Sequence, residues 1–126
     1  MMAGMRGVPL LAVPLLVLLP SAAFAQDYYG AIAYSPGKKA HGWASNHPSR
    51  AAAQRTALEN CRKYAPDCKT VVWFLNACAT LATGEAGYGS AWGSTQAAAD
   101  KEALKLCGSH TRACTVVRQV CTEGRK

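Results

Sequence analysis

Residues 51–68 read AAAQRTALENCRKYAPDC, and residues 97–114 read AAADKEALKLCGSHTRAC. Laid over one another at an offset of 46, Ala51-Ala52-Ala53 falls on Ala97-Ala98-Ala99 and Ala57-Leu58 on Ala103-Leu104. Cys61 then falls on Cys107, Cys68 on Cys114, and Ser49 on Thr95. Two cysteines and an Ala-Leu pair sharing one offset mark an internal duplication. At an offset of 45, Gly42-Trp43-Ala44-Ser45 meets Gly87-Tyr88-Gly89-Ser90, which places one inserted residue before the second copy of the helix. The copies are expected to span 28–74 and 75–121. Two copies are too few for a solenoid, so one pseudo-symmetric domain is the expected outcome.

Within the first copy, residues 50–64 carry a helical period. Ala53, Ala57, Cys61 and Tyr64, with Leu58 beside them, share one face, while Gln54, Arg55, Glu59, Arg62 and Lys63 lie mostly on the other. Ser49 can cap this helix through its hydroxyl, and Pro66-Asp67 ends it. Upstream, YYGAIAY (28–34) reads as a strand, Ser35-Pro36-Gly37 as a turn, and AHGWAS (40–45) as a second short strand. Downstream, CKTVVWF (68–74) is β-branched and aromatic. The second copy repeats the order: ACATLAT (77–83), a turn at 84–87, a glycine-rich strand at 88–93, a helix capped by Ser94 or Thr95 and running to Cys107, and CTVVRQVC (114–121). The fold class is α+β: ββαβ twice, with helices packed on one side of a mainly antiparallel sheet.

All six cysteines lie in this duplicated region. Their gaps, Cys61-x6-Cys68, Cys68-x9-Cys78, Cys107-x6-Cys114 and Cys114-x6-Cys121, contain neither the two-residue knuckle of structural zinc sites nor a redox CxxC. An even count therefore reads as three disulfides, with no metal and no cofactor. Of the 15 possible pairings, one follows from the elements. Cys61 sits on the apolar face of its helix, and Cys68 opens the strand returning beneath it. The same reasoning joins Cys107 to Cys114. Cys78 and Cys121 remain, and they would tie together the first and last strands of the second copy. At the offset of 46, Ile32 stands where Cys78 aligns.

The first 25 residues read as a targeting segment. Arg6 supplies a positive start, and Val8 to Leu19 is an uncharged apolar run of 12 residues interrupted by Pro9 and Pro14. A bilayer span needs about 20. Ala23-Phe24-Ala25 supplies the small residues of a cleavage site. Cleavage after Ala25 is expected, leaving a domain of residues 26–126 with no stable membrane anchor, in the periplasm or secreted. Without Arg6, 13 of the 14 Lys and Arg face 7 Asp and Glu, a net charge of +6.

Several of these residues occur together in a known family. Tyr29-Gly30-Ala31-Ile32-Ala33-Tyr34-Ser35, Gly42-Trp43-Ala44, Ala57-Leu58-x-x-Cys61, Asn76-Ala77-Cys78-Ala79 and Ala103-Leu104-x-x-Cys107 with Cys114 resemble the DUF4189 family over residues 28 to 121. The resemblance implies a small exported bacterial protein with a Cys-stabilised domain. It implies no catalytic residue, because the function of the domain is unknown.

Enzyme chemistry finds little support in the residues. His41, His47 and His110 lack a Gly-x-Ser-x-Gly elbow around Ser45, Ser49, Ser90 or Ser94. His41 and His47 would need Asp27 or Asp67 to hold a metal, and no spacing matches. Among the acids, Glu85 alone stands in a glycine-rich loop, without a partner carboxylate. Gly87-x-Gly89-x-x-x-Gly93 lacks the phosphate-binding fingerprint and reads as backbone packing in a tight hairpin.

The charge is dispersed over Lys38-Lys39, Arg62-Lys63 and Arg125-Lys126. It favours acidic partners over nucleic acid, since no basic stripe interleaves with aromatics. Trp73 is expected in the core, and Trp43 and Trp92, near hairpin tips, at the core edge or as interface anchors. Trp43, Trp92, Lys38, Lys39 and His41 form the candidate binding surface. The expected function is a non-enzymatic binding module for a protein or an anionic envelope component. The alternatives are an inhibitor or immunity protein against a toxin or cell-wall hydrolase, or a small hydrolase.

Overall fold

A computed structural model describes residues 26–126, together with Gly7, Pro14 and Leu15. The targeting segment and its cleavage point at Ala25 otherwise lie outside the described residues. The elements run β1 (Tyr29–Ser35), β2 (Ala40–His47), α1 (Arg50–Arg62), β3 (Lys69–Leu75), β4 (Cys78–Thr83), β5 (Tyr88–Gly93), α2 (Gln96–Gly108) and β6 (Thr115–Cys121). This is ββαβ twice, in an α+β domain. Ser49 caps α1 by accepting from the Ala52 amide, and Thr95, rather than Ser94, caps α2 by accepting from the Ala98 amide.

The strands form two antiparallel sheets, β2-β1-β3 and β5-β4-β6. One face of each sheet carries its own helix. Ala31, Ala33 and Ala44 meet Ala53, Ala57 and Cys61 of α1, and Ala82 and Ala91 meet Ala103 and Cys107 of α2. The other two faces pack on each other through Ile32, Tyr34 and Phe74 of the first sheet and Ala79, Leu81 and Val120 of the second. The layers are therefore helix, sheet, sheet, helix. Small residues on the helix side and large ones between the sheets explain why every residue of β1 from Gly30 to Ser35 is buried.

Alanine and glycine let the helices lie very close. A Cβ on Gly42 would strike the Cys61 amide nitrogen and the Ala57 carbonyl oxygen, and one on Gly89 would strike the corresponding Cys107 and Ala103 atoms. Gly42 and Gly89 are thus equivalent positions, which corrects the offset of 45 in this stretch to 47. In the first strands the offset is 49, since Ala33 pairs with Gly42 as Ala82 pairs with Gly89. Only from the helices onward does 46 hold. The hairpin linking the first two strands of the second copy is shorter, so a single sliding register cannot follow it. Gly89 and Gly93 owe their identity to close backbone contact with α2 rather than to the hairpin turn.

Disulfides join Cys61 to Cys68 and Cys107 to Cys114, each across a sequence separation of 7, and Cys78 to Cys121 across 43. The first two tie each helix to the residue just before the strand that follows it. The third links directly paired residues of β4 and β6. In the first copy the corresponding pair is Tyr29 and Leu75, so Cys78 takes the place of Tyr29 and not of Ile32. Three disulfides are the mark of an oxidising, non-cytoplasmic compartment. Among the described residues, no helix is long and apolar enough to cross a membrane.

The tryptophans do not enter the core. Trp73 is 38% exposed, Trp43 43% and Trp92 61%. All three stand on edge strands. The centres of the helix–sheet layers are filled by alanine, glycine and cysteine, and Ile32, Phe74 and Leu81 fill the layer between the sheets.

Candidate functional site

Stacking two three-stranded sheets leaves two seams where edge strands face one another. At one, β2 lies beside β6; at the other, β3 lies beside β5. The duplication relates these seams, yet their residues differ.

At the β2–β6 seam, strand alternation sends Gly42 and Ala44 toward α1 and leaves His41, Trp43 and Ser45 on the side of the second sheet. There they meet Arg118 of β6. Arg118 donates from Nε to His41 Nε2 at 3.1 Å, and its guanidinium carbon lies 5.6 Å from the centre of the Trp43 ring. Ser45 donates its hydroxyl to the Cys121 carbonyl at 3.0 Å, and the Glu123 amide donates to Asn46 Oδ1 at 2.8 Å. The far end of the seam is thereby closed. Asn46 holds a left-handed backbone (φ 60°), which asparagine tolerates well.

The α1 side of this seam is open. A cleft of about 460 Å³ runs between β2, β6 and the end of α1, lined by His41, Trp43, Asn60, Lys63, Tyr64 and Arg118 among others. It continues into a shallow hollow bounded by Lys38, Lys39, Ala40, His41, Tyr64 and Arg118. Among the described residues, none that lines either is acidic. Asn60 is anchored by donating to the Trp43 carbonyl at 3.1 Å. Lys39 takes the left-handed conformation (φ 53°) at the end of the β1–β2 turn, an unusual place for a long side chain.

The surroundings of His41 disfavour its charged form. Burial is the larger cause and the Arg118 charge the second, and together they push its pKa below the ordinary 6.5. A neutral ring whose Nε2 accepts from Arg118 carries its proton on Nδ1. On the neighbouring strand Tyr34 is pushed above its usual value, first by burial and then by Tyr88, whose ring meets it edge-on at 5.0 Å.

The β3–β5 seam is apolar. Val71, Val72, Trp73, Phe74, Leu75 and Trp92 line a groove of about 530 Å³. Ser90 closes part of it by donating to the Val71 carbonyl at 2.9 Å, and Arg50 stacks on Trp73 at 4.3 Å.

The structure thus gathers His41 and Trp43 into one cleft, sets Lys38 and Lys39 in the hollow that adjoins it through His41, and places Trp92 on the opposite seam. Sequence reasoning missed Arg118, Lys63, Tyr64 and Asn60 as members. One signal was present: Arg118 shares its strand face with Val120, which is buried between the sheets. His47 lines the same cleft, His110 lies exposed beside α2 in the equivalent hollow of the second copy, and Glu85 is exposed in its loop. Among the described residues, no three His, Cys, Asp or Glu side chains gather closely enough to hold a metal ion.

Comparison with known proteins adds the lineage. The family described as a domain of unknown function, DUF4189, matches residues 29–121. The chain is 43% identical over 86 residues to Protein Rv1269c of Mycobacterium tuberculosis (strain ATCC 25618 / H37Rv) and to Protein Mb1300c of Mycobacterium bovis (strain ATCC BAA-935 / AF2122/97). Those matches span 68% of this chain and 66% of each relative, a little under two thirds of their length. The NMR structure of Rv1813c from Mycobacterium tuberculosis is similar with a TM-score of 0.55 and 28% identity, over 75% of this chain and 74% of that one.

Proposed function

The chain belongs to the DUF4189 family, a domain of unknown function, and from its β2–β6 cleft we propose that it is an exported module that binds an anionic component of the bacterial envelope without transforming it. The observation that carries this reading is the lining of the cleft and its adjoining hollow: Lys63, Arg118, Trp43 and Tyr64 in the cleft, Lys38 and Lys39 in the hollow, and among the described residues no acid in either. Cations gathered in a lining that holds no acid among the described residues attract an acidic partner, and exposed aromatic rings supply flat apolar contact for it.

Export is supported by the apolar run from Val8 to Leu19 followed by Ala23-Phe24-Ala25, and by three disulfides. Binding is favoured over catalysis by the state of His41. Its Nε2 accepts from a guanidinium and, among the described residues, makes no hydrogen bond with a serine, threonine or cysteine.

The test is co-sedimentation of the mature, oxidised protein with isolated cell-wall sacculi, compared with sacculi stripped of their anionic polymers. Retention by the intact sacculi, lost on stripping and declining with salt, is the expected result. Replacing Lys38, Lys39 and Lys63 together with glutamine is expected to weaken it by about tenfold or more, equivalent to about 1.4 kcal/mol. Equal retention by stripped sacculi, or none by either, overturns the proposal.

A further inference from the structure

We infer that Arg118 is the receptor for the ligand's acid group, a carboxylate or phosphate borne on a sugar-sized unit, and that His41 and Trp43 position its guanidinium for that task. The inference rests on the binding reading above and adds the chemistry of the contact.

Arg118 is tethered on one side only. Nε is committed to His41 and the guanidinium lies beside the Trp43 ring. Among the described residues, that is its one hydrogen bond to a side chain or to the backbone, so both Nη groups keep their N–H donors. A planar pair of such donors matches two oxygens of a carboxylate or phosphate, as a lysine cannot. The cleft of about 460 Å³ is in the range of small-molecule sites.

The fold itself does not demand these residues. At the related seam, Val72 occupies the β3 position that corresponds to Arg118, and Ser90 the β5 position that corresponds to Trp43. The duplicated architecture closes there with a valine and a serine. An arginine on the inner face of a strand, with no carboxylate beside it, costs desolvation that the fold alone gives no reason to bear.

His41 reports on the site. The groups facing it are Tyr34 on β1, Lys38 and Lys39 in the turn, Lys63 and Tyr64 at the end of α1, and Arg118 on β6. None is an acid. An anion on Arg118 cancels the charge that helps hold His41 neutral, so bound acid must raise the titration midpoint of His41.

The experiment follows the His41 ring signals by NMR through a pH titration of the mature, oxidised protein. It is run alone and with glucuronate, glucose 6-phosphate, or glucose as the uncharged control. At least one acid is expected to raise the midpoint by about half a pH unit or more, with glucose leaving it in place. Whichever acid acts separates carboxylate from phosphate recognition. Arg118→Gln is expected to abolish the shift and weaken acid binding about tenfold, and Arg118→Lys, which keeps the charge but not the fork, about fivefold. His41→Gln, whose amide oxygen can still accept from Nε, is expected to retain binding that His41→Ala loses. Acid binding that leaves His41 unmoved, or an Arg118→Gln variant that binds as tightly as the parent, overturns the inference. Sacculus retention persisting in that variant would leave the envelope reading standing, and loss of retention in the parent would remove both.

Discussion

At Gly42 and Gly89 the backbone of a strand touches the backbone of a helix, and hydrogen is the largest substituent that fits. Gly42→Ala is expected to lower the free energy of unfolding by about 3 kcal/mol, measured by urea denaturation of the oxidised protein, because neither colliding group can swing aside. Ala113 shows the opposite situation. Its φ of 59° is costly for alanine, so Ala113→Gly is expected to stabilise by about 0.5–1 kcal/mol in the same assay. His41 adds a pH dependence whose sign follows from its lowered pKa. Between its folded value and 6.5, the unfolded chain binds more protons than the folded one. The His41 contribution to stability is therefore present above 6.5 and lost as pH falls through that window, and His41→Gln should flatten this part of the stability profile. Single residues were the least legible scale. Lys38, Lys39, His41 and Trp43 could be marked as surface because they flank a hairpin. Trp73 could not, since an apolar strand reads the same whether a tryptophan faces a filled layer or its rim. Arg118 was hidden because its role depends on a strand 77 positions away along the chain.

Elements were far easier to read. Ser49, and Ser94 or Thr95, announce the helices through capping hydroxyls, and the Ala53, Ala57, Cys61 stripe and its Ala99, Ala103, Cys107 twin mark the buried faces. The cysteines inherit that clarity, because a thiol on a buried helix face can reach only the strand beneath it. In the chain-entropy model, a separation of 7 gives each helix–strand bridge about 2.5 kcal/mol, and a separation of 43 gives Cys78–Cys121 about 4 kcal/mol. Removing both cysteines of the long bridge is thus expected to cost more than removing both of either short one, as ranked by thermal unfolding. Pairing between sheets was not legible. The apolar run of β1 marks it as a strand, but it does not show that both its faces are buried or that the second meets another sheet.

For the molecule as a whole, stability depends on that shared layer. Ile32 and Phe74 from one copy interlock with Leu81 and Val120 from the other. Leu81→Ala is expected to cost about 3 kcal/mol while preserving a single unfolding transition seen alike by circular dichroism and tryptophan fluorescence, since neither copy can lose the layer alone. Two separate transitions would show the halves to be independent.

The seams carry a consequence of their own. Each is built from one strand of either copy, so a pair of identical, unlinked half-molecules would have to present the same rim twice. Any arginine gained for one rim would appear on the other, and any tryptophan lost from one would vanish from both. Joining the halves in one polypeptide lifts that obligation. It lets one rim become cationic around Arg118 while its counterpart stays greasy around Trp73 and Trp92. The peptide linkage between the halves is in this sense a licence for asymmetry.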